Sequence, residues 1–248
     1  MTVPWFEPDW PAPRGVRAVS TLRGDARSGV SKAPYGCFNL GDHVGDDPAA
    51  VAENRRRLKM ALRLPGEPAW LSQVHGTGVA NLDTPDAPRL ADAAIARGSA
   101  KICVILTADC LPLIFATDSG DAVAATHAGW RGLAAGVIEA TVRVMGVPPG
   151  SLVAWLGPAI GPKHFEVGAE VRDAFLAEDP QAAAAFEPNV RGRFMADLTM
   201  LARRRLQGLG VRRVYGGDEC TFARADRYYS HRREGITGRQ ATLIWREG

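Results

Sequence analysis

Apolar residues recur along the 248-residue chain in two patterns that predict its strands and helices. Short apolar runs with little alternation are typical of buried strands, whereas apolar positions three and four residues apart indicate helices. Strands are predicted at 16–21, 70–74, 79–82, 102–107, 111–116, 122–126, 152–156, 211–215 and 241–245. Helices are predicted at 48–62, 134–145, 168–178 and 197–208, with one helical turn at 182–185. Strands and helices that interleave in this way predict a mixed α/β fold.

Prolines, glycines and aspartates mark the ends of these elements. Four prolines near the N-terminus predict that residues 1–15 form an extended arm laid on the surface. Pro48, after an aspartate, is a typical first helical residue, and Asp197 is a candidate N-cap. Residues 24–35 and 83–101 are predicted loops. Because no linker or internal repeat divides the chain, we expect a single domain over residues 1–248.

The composition is that of an ordinary globular protein, with 46% hydrophobic and 23% charged residues. A formal net charge of +3 is too small to indicate a nucleic-acid partner. No apolar run reaches the ~18 residues of a membrane span, and the N-terminus lacks the apolar core of a signal peptide. We therefore expect a cytoplasmic protein without membrane contact, and nothing indicates a protein partner. Its four cysteines are then expected to be thiols or metal ligands, namely Cys37, Cys103, Cys110 and Cys220.

The stretch from Ile102 to Gly136 carries the clearest signs of chemistry. Cys110 stands between two apolar runs and His127 ends a third, so a thiol and an imidazole lie at the ends of strands that can pair. His75 also follows a predicted strand and precedes a glycine. Strand ends followed by tight turns are where α/β folds display functional side chains. Two imidazoles and a thiolate form a plausible ligand set for Zn²⁺ that leaves the fourth position open.

The residues alone leave three interpretations of this set open. In the first, a zinc ion lowers the pKa of a bound water toward ~7 and supplies hydroxide at neutral pH. In the second, the three side chains have separate structural roles, since their spacing matches no zinc-finger signature. In the third, Cys110 is a nucleophile and His127 is its general base, without a metal.

Other polar residues flank the same strand ends. Gly129 and Arg131 belong to a Gly-Trp-Arg-Gly corner before a helix, where backbone N–H groups and a guanidinium suit phosphate, although such corners also occur as plain turns. Asp109 is a proton shuttle, a group that supports the neighbouring ligand Cys110, or a cap of its own turn. Gln73 and Asn39 stand beside strand ends and are candidates for substrate contact.

Several motifs follow one another in the order found in one protein family. They are Ser-Gln-Val-His-Gly at 72–76, Thr-Ala-Asp-Cys-Leu-Pro at 107–112, His-Ala-Gly-Trp-Arg-Gly at 127–132 and Leu-Gly-Pro-Ala-Ile-Gly-Pro at 156–162, with Tyr-Gly-Cys-Phe-Asn-Leu-Gly-Asp-His-Val-Gly-Asp at 35–46 and Thr-Gly-Arg at 237–239. From about residue 16 to its C-terminus the chain resembles the YfiH-type proteins. These were long labelled multicopper polyphenol oxidases or laccase-domain proteins.

The resemblance implies a zinc-dependent purine nucleoside phosphorylase that also deaminates adenosine. Such proteins convert adenosine, inosine, guanosine or methylthioadenosine, with phosphate, to the free base and ribose 1-phosphate. Carried over by motif, His75, Cys110 and His127 are the zinc ligands and the catalytic centre. The implied fold is a layered arrangement of mixed β-sheets flanked by helices.

One motif of the family is altered, and three other functions remain as alternatives. The family's Thr-x-Arg-x-Gly-Gly-Val-Ser is stretched here, so either Arg23 or Arg27 takes the place of its arginine. A multicopper oxidase needs on the order of ten histidine ligands, whereas this chain has five histidines in all, so copper oxidation of phenols is disfavoured. A metal-free cysteine hydrolase acting on cell-wall peptide precursors is the main alternative, because some family members are linked to peptidoglycan editing. A non-catalytic nucleotide-binding module is the other.

Overall fold

The computed structural model describes residues 3–247. Its strands are β1 Trp5–Phe6, β2 Val16–Thr21, β3 Pro68–Ala69, β4 Val79–Asn81, β5 Ala93–Ala96, β6 Ile102–Thr107, β7 Leu111–Thr117, β8 Val123–Ala128, β9 Leu152–Leu156, β10 Glu166–Val167, β11 Phe186–Pro188, β12 Phe194–Ala196, β13 Arg213–Gly216 and β14 Gln240–Arg246. Its helices are α1 Pro48–Leu62, α2 Trp130–Ala134, α3 Val137–Met145, α4 Ala169–Leu176, α5 Leu198–Leu209 and α6 His231–Glu234, with 3₁₀ turns at Pro149–Ser151 and Pro180–Ala185. None of the described helices is long and apolar enough to cross a bilayer.

The first large sheet has five strands in the order β1-β2-β14-β6-β3. Strand β14 is antiparallel to both of its neighbours, with Ile244 opposite Ala18 of β2 and Cys103 of β6. Strand β3 is parallel to β6. Every residue of β6 is buried, as its continuous apolar run predicts.

The second large sheet has six strands in the order β13-β9-β7-β8-β5-β4. Its centre is the antiparallel pair β7 and β8, in which Leu111 lies opposite Ala128 and Pro112 opposite His127. The edge strands β13 and β4 run parallel to their neighbours β9 and β5. Strands β10, β12 and β11 form a small antiparallel sheet that packs against the same core.

The two large sheets pack face to face and are covered by helices on their outer sides. The core between them joins Ile105 and Ile244 of the first sheet to Ile114 and Val153 of the second. Because alternate residues of a strand point to opposite faces, the remaining apolar residues meet helices. Helix α1 covers the first sheet through Leu58, and α3, α4 and α5 cover the second. This succession of layers confirms the expected α/β fold of mixed sheets flanked by helices.

The predicted elements with strong local signals are confirmed. Strands 16–21, 102–107 and 152–156 and helix 48–62 have the predicted bounds. Asp47 caps α1 by accepting the N–H of Ala49, and Asp197 caps α5 by accepting that of Met200. The helix predicted at 134–145 is split, because Gly136 has a left-handed φ of 92° that ends α2 and lets α3 begin in a new direction.

The strand predicted at 70–74 is wrong. Only Pro68–Ala69 pairs with β6 in this region, and Ser72 makes a single isolated bridge to Leu90. Side chains replace the ladder. The Gln73 side chain pairs with the backbone of Leu106 in β6, while backbone N–H groups after it donate to a buried carboxylate. The segment is therefore held firmly without being a strand.

The loop predicted at 83–101 contains strand β5, which lies between β4 and β8. Its sequence, Ala-Ala-Ile-Ala, has little intrinsic strand preference and no alternation. The small side chains allow helix α3 to pack on the sheet at this point.

The predicted N-terminal arm is described from Val3 onward, and residues 1 and 2 lie outside the described part. Trp5 and Phe6 pair with Thr21 and Ser20 at the edge of the first sheet. Val3 is 5% exposed and belongs to the core beneath α1. The arm is thus built into a sheet edge.

Candidate metal centre

The strands that carry Cys110 and His127 do lie side by side. Cys110 immediately precedes β7 and His127 lies near the end of β8, so antiparallel pairing brings the two residues together. Strand β6, which ends just before Cys110, belongs to the other sheet. Cys110 therefore sits where the chain crosses between sheets, in a turn in which Asp109 has a left-handed φ of 97°.

His75 completes a compact cluster with these two residues. The candidate ligand atoms of His75, Cys110 and His127 all lie within 4.8 Å of one another. Cys110 Sγ is 3.8 Å from His75 Nε2, and the two imidazole centroids are 4.8 Å apart. His127 is buried, whereas His75 lies at the surface. The structure thus brings together all three predicted ligands at the edge of solvent.

Asp92, which the sequence did not single out, positions both histidines. Its side chain is fully buried and accepts a hydrogen bond from His127 Nδ1 at 2.8 Å. It also accepts the backbone N–H groups of Val74, His75 and Gly76 at 3.2, 2.9 and 2.7 Å. These bonds hold His75 in a left-handed conformation with a φ of 60°. With Nδ1 bonded to the carboxylate, His127 presents Nε2 to the cluster, which is the usual arrangement of a metal-binding histidine.

Each charged side chain of the cluster favours the charged form of its neighbour. Burial raises the pKa of the Cys110 thiol, but the charge of His127 and hydrogen bonds from both histidines outweigh it and lower this pKa to about 6. Burial lowers the pKa of His127, but the Cys110 thiolate and the Asp92 carboxylate raise it to about 9. The thiolate form of Cys110 is therefore favoured near neutral pH, and it can bind a metal together with His127 once that imidazole gives up its Nε2 proton.

Steric crowding explains why both glycines of the Gly-Trp-Arg-Gly corner lack a side chain. A Cβ atom on Gly129 would lie 2.8 Å from His75 Cδ2 and 2.9 Å from Cys110 Sγ, closer than real Cβ contacts. A Cβ atom on Gly132 would lie 2.9 Å from the carbonyl oxygen of Gly76. The corner is therefore packed directly against the cluster, and its first glycine leaves the space in which the two ligands meet.

The cluster forms part of the wall of a basic cavity of 340 Å³. Its other lining residues are His43, Gln73, Leu106, Thr107, Ala108, Arg131, His231 and Arg239. No carboxylate is among them. Arg131 is exposed, and its guanidinium lies 4.5 Å from the centroid of the Trp130 ring. A lining with two arginines and several histidines suits an anionic ligand. A larger cavity of 530 Å³ beside β3 contains none of the candidate ligands.

Of the five other predicted site residues, Gln73 and Arg131 line this cavity. Gly129 packs against His75 and Cys110. Gln73 is fixed there because its amide donates to the carbonyl of Leu106 and accepts the Leu106 N–H, both at 2.8 Å. Arg131 follows Gly129 in α2. The side chains of Gln73 and Arg131 are therefore placed where a ligand can reach them.

Asn39 and Asp109 are not lining residues. Asn39 is fully buried, and its Oδ1 accepts the backbone N–H groups of Gly41 and Arg239. Asp109 accepts the Thr221 hydroxyl through Oδ1 and the N–H of Arg232 through Oδ2, both at 2.6 Å. These bonds join Asp109 to two segments distant in sequence, and among residues 3–247 its side chain makes no hydrogen bond to its own turn. The predicted substrate contact of Asn39 stays a prediction, as does proton transfer by Asp109.

Arg239 and Thr107 are lining residues whose roles the sequence did not reveal, although both belong to the motifs quoted above. Burial is the main cause that lowers the pKa of Arg239. Burial and the nearby charge of Arg239 together lower the pKa of His43, so the two basic groups are neighbours. Thr107 is 2% exposed, and its Oγ1 has no hydrogen-bond partner among residues 3–247. A motif shows that such residues matter, but only the fold brings them to one cavity.

Neither arginine of the altered motif lines the cavity. Arg23 donates to Glu234 at 2.7 Å and lies over the ring of Tyr229. Arg27 is exposed in a turn, where its N–H donates to Asp25. A role of either in phosphate binding finds no support in this geometry.

The donor set fits a single zinc ion better than several copper ions. One thiolate and two imidazoles suit zinc, and three protein ligands leave one position for a further ligand. Within the described residues, this is the one cluster of three or more potential ligands. The other histidines, His43, His164 and His231, add no second cluster of that kind. The arrangement therefore can hold one metal ion and leave a position for a further ligand.

Comparisons with known proteins identify the family. A family model described as multi-copper polyphenol oxidoreductase laccase matches residues 17–247. A purine nucleoside phosphorylase of Pseudomonas aeruginosa is 55% identical, over 97% of this chain and 98% of its own. The purine nucleoside phosphorylase YfiH of Escherichia coli is 49% identical, over 96% of this chain and 97% of its own.

Solved structures show the same fold. A crystal structure of a Neisseria meningitidis protein has a TM-score of 0.92 at 46% identity, covering 98% of this chain and 99% of that one. The structure of YlmD from Geobacillus stearothermophilus has a TM-score of 0.92 at 29% identity, covering 100% of this chain and 98% of that one. Together with the family model, these matches show that the chain belongs to the YfiH family of laccase-like domains, several members of which are named purine nucleoside phosphorylases.

Proposed function

We propose that this protein is a zinc-dependent purine nucleoside phosphorylase with its zinc ion held by His75, Cys110 and His127. The observation that carries the proposal is the convergence of these three side chains on a basic cavity. The names of the relatives supply the reaction. The proposed substrates are adenosine, inosine, guanosine and methylthioadenosine, each together with phosphate.

In phosphorolysis, an oxygen of hydrogen phosphate forms a bond to C1′ of the ribose, and the bond from C1′ to N9 of the purine breaks. The electron pair of that bond goes to the purine, which takes up the proton that the phosphate releases. The protein must hold a dianion against a carbon that becomes more positive as the base leaves. We assign phosphate binding to Arg131 beside Gly129, because a guanidinium contacts phosphate oxygens in pairs.

Bound zinc supplies a Lewis acid with one open position. Around it, the chain's own residues orient the substrate. Gln73 presents an amide whose position is fixed by Leu106, so it is our candidate for contact with the nucleoside. Asn39 supports the cavity wall, because its Oδ1 already accepts the N–H groups of Gly41 and Arg239.

Adenosine deamination is the second activity that we propose for this site. A water molecule adds to C6 of the purine, ammonia leaves, and inosine is formed. Asp109 is the proposed proton shuttle because it directly precedes Cys110. To take a proton, its carboxylate must exchange its bond to Thr221 or to Arg232.

A metal-free cysteine hydrolase is the competing function, and one observation favours it. The lowered pKa of Cys110 beside the raised pKa of His127 is also the signature of a nucleophile and its base. Its substrate would be a cell-wall peptide precursor. The metal dependence of activity separates the two, because zinc removal leaves a thiol nucleophile intact.

A cytoplasmic location belongs to the proposal as well. All four cysteines are free thiols, and such thiols persist in a reducing compartment. Cell fractionation tests this location.

The first prediction concerns His127. Purified protein carries about one zinc ion per chain and converts inosine and phosphate to hypoxanthine and ribose 1-phosphate. His127→Ala removes a ligand and lowers turnover by more than the roughly 10–100-fold typical of a lost supporting residue. Liquid chromatography and elemental analysis measure both properties. The control is His164→Ala, whose ring stacks on Phe222 at 4.4 Å and does not line the cavity. A folded, metal-free His127→Ala protein with undiminished turnover would overturn the proposal.

The second prediction concerns Gly129. Because a Cβ atom there would lie within 2.9 Å of both His75 and Cys110, Gly129→Ala forces the ligands apart. We expect zinc affinity, measured by competition with a chromophoric chelator, to fall about 10–100-fold, as for other disturbed metal sites. Gly208→Ala is the matched control, since nothing lies within 4 Å of its added Cβ. Equal zinc affinities of the two variants would contradict the assigned ligand geometry.

The third prediction separates the roles of Asp109. If Asp109 shuttles a proton, Asp109→Asn lowers adenosine deamination about 100-fold and leaves inosine phosphorolysis and zinc content near those of the wild type. Assays of ammonia and of hypoxanthine on one preparation measure both activities, so phosphorolysis reports on folding. Unchanged deamination rules out the shuttle, and a parallel loss of both activities assigns Asp109 to a structural role alone.

A further inference from the structure

The basic cavity contains a second arginine that the proposed phosphorolysis has not used. Arg239 comes from the turn before β14 in the five-stranded sheet, whereas Arg131 comes from α2 after β8 in the six-stranded sheet. Both line the same cavity. Two guanidinium groups thus reach one space from opposite sheets.

Arg239 is held in place by contacts along its whole length. Its backbone N–H donates to Asn39 Oδ1 at 2.8 Å, and its carbonyl accepts the N–H of Leu40 at 3.1 Å. Its aliphatic stem lies against Gly41, where an added Cβ would be 2.7 Å from Arg239 Cγ. The preceding Gly238 is equally constrained, since a Cβ there would be 2.8 Å from the Tyr229 ring. Contacts between the Tyr35–Asp46 and Thr237–Arg239 motifs therefore fix the position of the Arg239 side chain.

Among residues 3–247 the Arg239 guanidinium has no direct ion-pair partner, although the nearby negative charges of Cys110 and Asp109 favour its charged form. Its Nη1 donates to the carbonyls of Thr237 and Gly238, both at 3.0 Å. Within residues 3–247, no carboxylate oxygen lies within ion-pair distance of its guanidinium. The group is partly buried and has five N–H donors, so most of its donors are free for a ligand. A partly buried cation without a direct ion-pair partner is stabilised by an anion that binds beside it.

Thr107 is an independent sign of a ligand in the same space. It lines the cavity, is 2% exposed, and its hydroxyl has no partner among the described residues. Buried hydroxyl groups are nearly always hydrogen-bonded. A ligand oxygen in the cavity would satisfy it, as phosphate oxygens accept from hydroxyl and guanidinium groups alike.

We propose that Arg239 binds the phosphate co-substrate together with Arg131 and the Thr107 hydroxyl, so that the phosphate bridges the two sheets. This inference rests on the proposed phosphorolysis. In it, Arg239 binds the phosphate from the side opposite Arg131. The two arginines neutralise the dianion, and no carboxylate lines the cavity. Asn39 is then a positioning residue that acts through Arg239.

The test compares Arg239→Gln, Arg239→Lys and the control Arg143→Gln in the zinc-loaded protein. Arg143 is exposed on α3 and does not line the cavity. We expect Arg239→Gln to raise the KM for phosphate at least about tenfold, as befits a lost charge-assisted hydrogen bond, with the KM for inosine changed less than about twofold. Arg239→Lys keeps the charge but loses the paired contact and should fall between wild type and Arg239→Gln. A merely structural role would raise both KM values together, so a KM for phosphate that is unchanged, or that rises only in step with that for inosine, overturns the inference.

A binding measurement keeps this inference separate from the proposed function. Inorganic phosphate should raise the Tm of the wild type and of Arg143→Gln, but not that of Arg239→Gln. If the wild type performs no phosphorolysis, the proposed function fails, yet this measurement still decides the role of Arg239. Absence of stabilisation in the wild type, or equal stabilisation of Arg239→Gln, would contradict a phosphate site at Arg239.

Discussion

The buried carboxylate of Asp92 is the interaction on which the site depends. It accepts one bond from the His127 ring and three from the backbone of residues 74–76. A buried carboxylate with that many donors is stable as an anion, and its charge in turn favours a proton on His127 Nδ1. One group thereby sets the orientation of one candidate ligand and the backbone conformation of another. Because Asp92 stands directly before β5, the inner part of the six-stranded sheet fixes both.

The crossing between the two sheets explains why distant parts of the chain meet here. Cys110 lies in the turn that leads from β6 of one sheet to β7 of the other. Strand ends of both sheets near that turn contribute further residues. Arg131 follows β8, and Arg239 precedes β14. The cavity is therefore lined by residues from both layers of the fold. The absence of a Cβ atom at Gly129 leaves room for the side chains of His75 and Cys110 to lie together.

The sequence predicts the ligands better than their supports. His75, Cys110 and His127 follow apolar runs and belong to motifs, so local pattern and resemblance both find them. Helix 48–62 is predicted correctly because its aspartate cap, its proline and its apolar spacing agree. Segment 70–74 differs from its predicted strand because hydrogen bonds to the side chains of Gln73 and Asp92 replace the backbone ladder there, and no periodicity reveals such bonds. Asp92 was missed for a related reason, since it stands before an alanine-rich strand that resembles a loop. The pairing of Asn39 with Arg239 spans 200 residues, and only the fold makes it visible.

The central claim is that one zinc ion is bound by two imidazoles and one thiolate. Zinc K-edge X-ray absorption of the purified protein tests it most directly. We expect one sulfur at about 2.3 Å, two imidazole nitrogens at about 2.0–2.1 Å, and one further light atom at the open position. Zinc without a sulfur neighbour, or copper in place of zinc, would contradict the account.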